Sequence, residues 1–390
     1  CRTRRLRRYV AQRQKNKISM KTDDVFFALL RAGLWGKAED ISLRDVDWES
    51  VYGIAREQTV AGFVADGISV MKKADPAMAV SPAVQNSFMQ TVLGSEMRNR
   101  QMNATLSHLC KVLSENGICA LVLKGQGVAL DYLQPSHRQP GDIDFFLDDK
   151  NYQAASALLS PKAAKVDEEN PSKKHLGMHF GDIEVELHGT MRVDFGKRVN
   201  EVMDNIQFDL FRKKDFRKWD CGGTEVLLPS IDFDALFIFM HFIQHFYHGG
   251  LGLRQICDWT MHLHRFADNV DRELLEHRLT ELGMMKEWKV FGWLAVNRLG
   301  LPADEMPFYD AECGGVVEKV WESMKLSGNF GKKRNAGRDF DKEPYLYRKT
   351  KSLVGHIRWM ARHFDVSYYN TFRSFWSMLT SGVSAVLKGK

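Results

Sequence analysis

The chain has 390 residues, 44% of them hydrophobic, which is typical of a folded protein with two or three domains. It has no apolar run of the roughly 18 residues that a membrane span needs, and its start lacks the apolar core of a signal peptide. The net charge of +6 comes from residues 1–19, because the remaining 47 basic and 49 acidic residues give a net charge of −2. The overall charge therefore does not indicate nucleic-acid binding.

Residues 1–19 form a basic segment with eight Lys or Arg and no acid. The chain begins with Cys1, and an ordinary start follows at Met20. We expect the segment to be a disordered or artefactual leader. Its charge would also suit nucleic acid or an acidic surface.

The cysteines are scattered along the chain, and none forms a Cys-x-x-Cys pair. This spacing does not indicate a structural zinc site or a disulfide framework. It predicts a reduced, cytoplasmic protein.

Residues 20–117 are predicted to form an N-terminal helical region. Apolar residues at a spacing near 3.6 predict helix within 23–72. A second helical stretch, 81–116, begins with Ser81 as the N-cap and Pro82 in the first turn, and it ends at an Asn-Gly pair.

Residues 118–227 have the composition of a small mixed α/β domain. Short β-rich runs at 118–125 and 142–148 lie on either side of a polar stretch, and 150–160 is predicted to be a short helix. Two alternating runs around a Gly-Asp pair, within 175–189, predict a β-hairpin.

The chain is predicted to be helical again over 228–327, with Ser230 as the first N-cap. A polar linker or loop follows at 328–345, and basic amphipathic helices at 346–390. We expect the last helices to pack on the domain with a solvated basic face, whereas a membrane surface or RNA would be the alternative partner. The fold class expected is α+β, a small mixed sheet flanked by helical regions. The helices of the 228–327 region are expected near 232–248, 251–267, 271–283, 284–299 and 314–326.

Asp142 and Asp144 stand one residue apart in the second β-rich run. Because residues i and i+2 of a strand share a face, the two carboxylates would lie side by side while Ile143 and Phe145 face a core. Carboxylates this close repel each other unless a cation bridges them, and oxygen ligands suit Mg²⁺ or Mn²⁺. An exposed edge strand would carry the same pattern.

The predicted hairpin supplies further ligand groups. Glu184, Glu186 and His188 alternate with apolar residues on one strand, and His175 and His179 lie on the other. If the apolar faces pack, the opposite face carries two glutamates and three histidines. A third carboxylate beside the aspartates would complete a two-metal site for phosphoryl transfer.

A phosphate-binding turn is predicted at 124–127, Lys-Gly-Gln-Gly, between a strand and a helix. Glycines let backbone N–H groups approach phosphate, and a helix N-terminus attracts anions. Lys124 and Arg138 add positive charge near the acids, which suits a triphosphate. Taken alone, the same four residues would form a plain tight turn.

This set of motifs resembles a bacterial group of uncharacterised nucleotidyltransferases within the DNA polymerase β-like nucleotidyltransferase superfamily. The resemblance covers about 118–260 and includes a later helical part with spaced histidines. The chain departs from the wider superfamily at Gln126, where a small residue is usual, and in a longer interval between Gly125 and Asp142. The matching residues are LKG at 123–125, Tyr132, Pro135, Arg138, GDIDFFL at 141–147, VELHG at 185–189 and HFIQHFYHGGLGLRQICDW at 241–259.

The resemblance implies transfer of a nucleoside monophosphate from an NTP to an acceptor hydroxyl, with release of pyrophosphate. Two Mg²⁺ or Mn²⁺ ions would assist, and Asp144 or Glu186 would help to deprotonate the acceptor. The choice of Glu186 over Glu184 rests on the resemblance. The residues assigned are Asp142, Asp144 and Glu186 for metal binding and catalysis, and Lys124, Gly125, Gln126 and Arg138 for the nucleotide. Further cleft residues expected are Glu184, His188, His175, His241 and His245.

His241, His245 and His248 fall on one face of a predicted helix. We expect a polar seam that faces the catalytic cleft or a packed interface, although the spacing would also suit a metal. Arg254 and Asp258, four residues apart on the next helix, are expected to pair with each other.

Two other function classes remain open. A non-catalytic nucleotide-binding or interaction module would keep the fold without turnover. A zinc-dependent hydrolase would use His175, His179, Glu186 and His188, or the helical histidines. For the transferase, the acceptor classes are small molecules, sugar phosphates, RNA and proteins.

Overall fold

The computed structural model describes residues 22–41, 43–329, 354–355 and 357–387. The predicted leader, 1–19, lies outside these residues, as does nearly all of the predicted linker at 328–345.

Four helices form the N-terminal part of the fold, as the apolar spacing predicts. They are α1 (22–35), α2 (Trp48–Glu57), α3 (Ala61–Ala74) and α4 (Pro82–Glu115). The side chain of Ser81 caps α4 by accepting a hydrogen bond from the Val84 backbone N–H, and Pro82 occupies the first turn. With 34 residues, α4 is roughly 50 Å long and reaches both of the hydrophobic cores described below.

A seven-stranded mixed sheet lies at the centre of the described chain. Its order is β3-β4-β5-β2-β1-β7-β6, so β2 and β1 are interior strands. β2 runs antiparallel to β1 and parallel to β5, and β1 runs parallel to β7. The strands are β1 (Leu121–Leu123), β2 (Ile143–Phe146), β3 (Lys165–Val166), β4 (His175–Phe180), β5 (Ile183–His188), β6 (Arg217–Asp220) and β7 (Glu225–Leu228).

The predicted hairpin is confirmed as β4 and β5, which pair antiparallel around Gly181-Asp182. The sequence did not predict β6 and β7, although β7 lies beside β1. Helices within this part are α5 (Gly125–Ala129), α6 (Asp149–Leu159) and α7 (Lys197–Lys213).

The sheet separates two hydrophobic cores. Val122, Ile143 and Phe145 pack into a smaller core with the second half of α4. Leu121 and Phe146, which point the other way, join a larger core built mostly from the N-terminal and C-terminal helices. Alternation along β1 and β2 therefore decides which core each residue enters.

Helices cover the larger core in the order that apolar spacing predicts. Ser230 is the N-cap of α8, but its side chain makes no capping hydrogen bond. The elements are α8 (Ile231–His248), α9 (Leu253–Arg265), α10 (Arg272–Leu282), α11 (Met285–Asn297) and α12 (Gly314–Ser327).

The C-terminal helices pack on the domain. α13 (357–363) places Trp359 so that its indole N–H donates to the Phe246 carbonyl of α8. α14 (Tyr368–Leu387) places Asn370 so that its amide donates to Glu287 of α11. None of the helices in the described part of the chain is both long and apolar enough to span a membrane.

Candidate active site

Three carboxylates meet on one side of the sheet, above its interior strands. Asp142 immediately precedes β2, Asp144 lies within it, and Glu186 of β5 stands directly opposite Asp144 in the parallel register. One oxygen from each of the three lies within 4.8 Å of the others. Asp144 is only 1% exposed, so β2 is not the edge strand that would carry such a pattern at the surface.

Lys124 supplies the positive charge that this buried position requires. It follows β1, and its Nζ lies 3.0 Å from Asp144 Oδ1. Burial disfavours the ammonium, but the carboxylates of Asp144, Asp142 and Glu186 outweigh burial and raise the pKa of Lys124. Its backbone has a φ of +42°, which is uncommon for a residue with a side chain and turns the chain into α5.

Two histidines of the hairpin converge on Glu186. His175 and His188 are directly opposite each other on β4 and β5, with Nε2 atoms 3.1 and 3.2 Å from Glu186 Oε2. His188 Nε2 also lies 2.8 Å from Asp144 Oδ1. Burial opposes ionisation, but hydrogen bonds from both histidines hold the pKa of Glu186 well below its usual range.

The carboxylate of Asp144 is only half satisfied by the protein. Its Oδ1 contacts Lys124 and His188, whereas its Oδ2 is buried and has no hydrogen-bond partner among the described residues. Burial and the neighbouring Asp142 raise the pKa of Asp144. An unpartnered buried carboxylate oxygen within reach of two more carboxylates fits a divalent cation with oxygen ligands.

Two histidines of α8 lie against Lys124. His241 Nε2 is 3.3 Å from Lys124 Nζ and 3.2 Å from His245 Nε2. Since an ammonium only donates, His241 Nε2 accepts from Lys124. Burial, with Lys124 as the nearest like charge, lowers the pKa of His241 and brings that of His245 to about 4. Both imidazoles are therefore neutral near pH 7.

Arg138 is committed to another residue. Its Nε and Nη2 donate to the two carboxylate oxygens of Asp258 at 2.8 and 2.7 Å, and the Tyr132 hydroxyl donates to the same carboxylate at 2.7 Å. Asn99 of α4 holds the turn in place by donating to the carbonyl of Arg138. The sequence interpretation that Arg254 pairs with Asp258 is therefore wrong, because Arg138 occupies both carboxylate oxygens.

Arg254 is a buried arginine of the pocket that the sequence analysis did not assign as a site residue. It is buried, it donates to the Gln139 carbonyl, and within the part of the chain that the structure describes its Nε has no hydrogen-bond partner. Burial and the nearby Arg138 lower the pKa of Arg254. The Arg-x-x-x-Asp spacing of Arg254 and Asp258 is apparent in the sequence. Only the fold shows that Asp258 pairs with Arg138 instead.

The turn at Lys124-Gly125 faces the pocket, but Gln126 does not. Gly125 has a φ of +44° and lines the pocket. The amide of Gln126 instead donates to Asn103 of α4, beneath the sheet. Its assignment to the nucleotide through the side chain stays a prediction without a contact in the structure.

A cavity of about 460 Å³ joins these groups. Its floor carries Asp142, Glu186 and Lys124, and α8 supplies His241 and His245. The segment after β5 and the start of α9 complete its wall. The residues from those two parts, together with a lysine before β4, are Thr190, Met191, Arg192, Val193, Arg254, Gln255, Asp258 and Lys173.

Glu184 belongs to a different cluster from Glu186. Its carboxylate oxygen groups with His179 and Asp167 at the outer side of the hairpin. The register explains the division, because Glu184 pairs with His179, two residues farther from β2's aspartate. The structure thus brings Glu186, and not Glu184, within 4.8 Å of the aspartates.

A comparison with protein-family models identifies a family for this chain. A model of the family described as uncharacterised nucleotidyltransferase matches residues 44–300. No curated protein matches the chain. Among solved structures, an antigenic nucleotidyltransferase-like protein from Paracoccidioides brasiliensis is similar, with 13% identity and a TM-score of 0.32, over 54% of this chain and 95% of that one.

Proposed function

Because the chain belongs to the uncharacterised nucleotidyltransferase family, we propose that it transfers a nucleoside monophosphate from an NTP to an acceptor hydroxyl, releasing pyrophosphate. The observation that carries the proposal is the meeting of Asp142, Asp144 and Glu186 beside Lys124, of which Asp142, Glu186 and Lys124 line one cavity. The order of strand, turn, Asp-x-Asp strand and acidic strand also resembles the DNA polymerase β-like superfamily.

The three carboxylates fit Mg²⁺ or Mn²⁺ by donor type, and Asp144 has an orphaned buried oxygen. Bound there, two such ions would neutralise the triphosphate and stabilise both the attacking and the leaving oxygen.

The chain's own groups would position the substrates. Lys124 and Gly125 lie at the pocket floor, where an ammonium and a backbone N–H can approach phosphate. Arg254 offers a further cation in the cavity lining, and it forms no salt bridge with a carboxylate in the described part of the chain. Asp144 or Glu186 would help to take the acceptor's proton.

The test is incubation of the full chain with each α-³²P-labelled NTP, Mg²⁺ or Mn²⁺, and cell extract. The matched control is the double variant Asp142→Asn with Asp144→Asn. Transfer of label by the wild type alone would support the proposal and identify the base and acceptor class. Bound nucleotide without transfer would favour the non-catalytic binding module. The absence of both nucleotide binding and transfer would overturn the proposed function.

A further inference from the structure

The hairpin presents a group of ligands with a different chemistry from the aspartate pair. His175 and His188 are cross-strand neighbours, and Glu186 lies two residues before His188 on the same face. One imidazole nitrogen from each histidine and one carboxylate oxygen of Glu186 all lie within 4.8 Å of one another. All three side chains line the cavity and are between one fifth and about one third exposed, so an ion can enter.

The spacing of these atoms matches a small tetrahedral ion. Zinc binds histidine nitrogen and carboxylate oxygen at about 2.0–2.2 Å, so two ligands at the tetrahedral angle lie about 3.3–3.5 Å apart. The two nitrogen–oxygen distances at Glu186 are 3.1 and 3.2 Å. An ion would therefore need the ligands to separate by only a few tenths of an ångström.

We propose that His175, Glu186 and His188 form a site for a divalent transition metal of the Zn²⁺ or Co²⁺ type. Two imidazoles and one carboxylate are a donor set that transition metals accept readily, whereas Mg²⁺ prefers oxygen ligands. The site shares Glu186 with the proposed reaction, but it requires no turnover.

Three protein ligands leave one tetrahedral position for water or a substrate oxygen. The ligands line the cavity, so that position faces it. The nearest further carboxylate is Asp144, whose Oδ1 lies 2.8 Å from His188 Nε2. The site is thus next to the aspartate pair, and an ion in it would touch whatever the pocket holds.

The second histidine-containing group of the hairpin, Asp167, His179 and Glu184, is a weaker competitor. It offers one imidazole instead of two, and Glu184 is exposed. Asp167 is also already paired with Lys165. This group supplies a matched control, because His179 lies on the same strand as His175.

The experiment uses the full chain after EDTA treatment and removal of the chelator, in the absence of nucleotide. Co²⁺ is titrated while visible absorption is recorded, since tetrahedral Co²⁺ absorbs far more strongly than octahedral Co²⁺. Zn²⁺ stoichiometry is measured in parallel by elemental analysis. The variants are His175→Gln, His188→Gln and the control His179→Gln, each checked for folding by circular dichroism.

We expect one Co²⁺ per chain with a tetrahedral spectrum that excess Mg²⁺ does not remove. His175→Gln and His188→Gln should each weaken binding by about 100-fold or more, since even second-shell changes weaken metal binding by about 10–100-fold. His179→Gln should leave it unchanged. His175 is the more exposed of the two ligands, so its variant remains informative if His188→Gln fails to fold.

Absence of a stoichiometric ion, or loss of binding only in His179→Gln, would overturn the inference. Because no nucleotide is present, the outcome is independent of the labelling assay. A chain that binds Co²⁺ at His175 and His188 but transfers no label would overturn the proposed function alone.

Discussion

The ammonium of Lys124 lies 3.0 Å from a carboxylate oxygen of Asp144, and this ion pair joins the end of β1 to the interior of β2. The Asp144 side chain is fully enclosed and that of Lys124 is 18% exposed. A lone carboxylate at such a position would be strongly unfavourable. The pair explains how an interior strand can hold an acid.

The first prediction concerns this pair. Lys124→Met and Asp144→Asn should each lower the free energy of unfolding by about 3 kcal/mol, because each leaves the other group without its buried partner. The double variant should lose clearly less than the sum. Urea denaturation in EDTA measures all four proteins, and strictly additive losses would show that the two groups do not interact.

The second prediction separates Glu186 from Glu184. Asp142→Asn and Glu186→Gln should each reduce NTP turnover by about 100-fold or more, since each removes a carboxylate from the proposed metal site. Glu184→Gln should retain turnover, because Glu184 groups with His179 instead. Steady-state kinetics at saturating metal measures the turnover of each variant. Equal losses of turnover in Glu184→Gln and Glu186→Gln would contradict the assignment of the two glutamates to different clusters.

The third prediction contrasts two arginines. Arg254→Gln should weaken NTP binding by about tenfold or more, because Arg254 lines the cavity and its Nε has no partner among the described residues. Arg138→Gln should instead lower the free energy of unfolding by about 3–5 kcal/mol, since Asp258 would remain buried without its partner. Calorimetric titration and denaturation test the two effects. If Arg138→Gln weakened NTP binding and Arg254→Gln lowered the free energy of unfolding instead, Arg138 would be the phosphate ligand.

The fourth prediction concerns pH in the metal-free protein. Burial opposes the charge, but hydrogen bonds to Asp144 and Glu186 raise the pKa of His188 from 6.5 to about 9. The stability from this protonation is complete below pH 6.5 and is lost as the pH rises to about 9. The difference in unfolding free energy between wild type and His188→Gln should therefore shrink by about 2–3 kcal/mol across that range. A constant difference, measured in EDTA, would argue against the shift.

The fifth prediction concerns the attachment of α14. Asn370 donates to Glu287 Oε1 at 2.7 Å and to the Gly283 carbonyl at 2.8 Å. Asn370→Leu should lower the free energy of unfolding by about 1–3 kcal/mol, because buried Glu287 loses a donor. Tyr368→Ala, at an exposed position of the same helix, should change it by less than about 0.5 kcal/mol. Equal effects would mean that α14 does not pack as described.

Local patterns predicted much of the site because its carboxylates lie on strands with clear alternation. The spacing of Asp142 and Asp144 placed them apart from Ile143, and the hairpin alternation placed Glu186 on the opposite side from Val185, as the structure has them. Helix starts such as Ser81-Pro82 could also be predicted from the sequence, since capping depends on a few adjacent residues.

Residues and strands that pair across a long sequence separation could not be predicted in this way. Arg138 is adjacent in sequence to the acids, yet its partner Asp258 lies 120 residues later. β7 pairs with β1 across more than 100 residues, so nothing near either strand indicates the pairing. α7 was also missed: its buried Val199, Met203 and Ile206 have helical spacing, but no helix was predicted between the hairpin and residue 228.

The alternation of β2 between two cores has a consequence for how the chain avoids misfolding. A slip of one residue between β2 and β5 would turn Asp144 toward the smaller core, among the neighbours of Phe145, and away from Lys124. That arrangement would bury the Asp144 carboxylate among apolar side chains and separate it from the Lys124 ammonium. Its cost in free energy would be well above that of a mispaired apolar residue. The same carboxylate that serves the proposed chemistry would thus also disfavour the wrong register of β2 against β5.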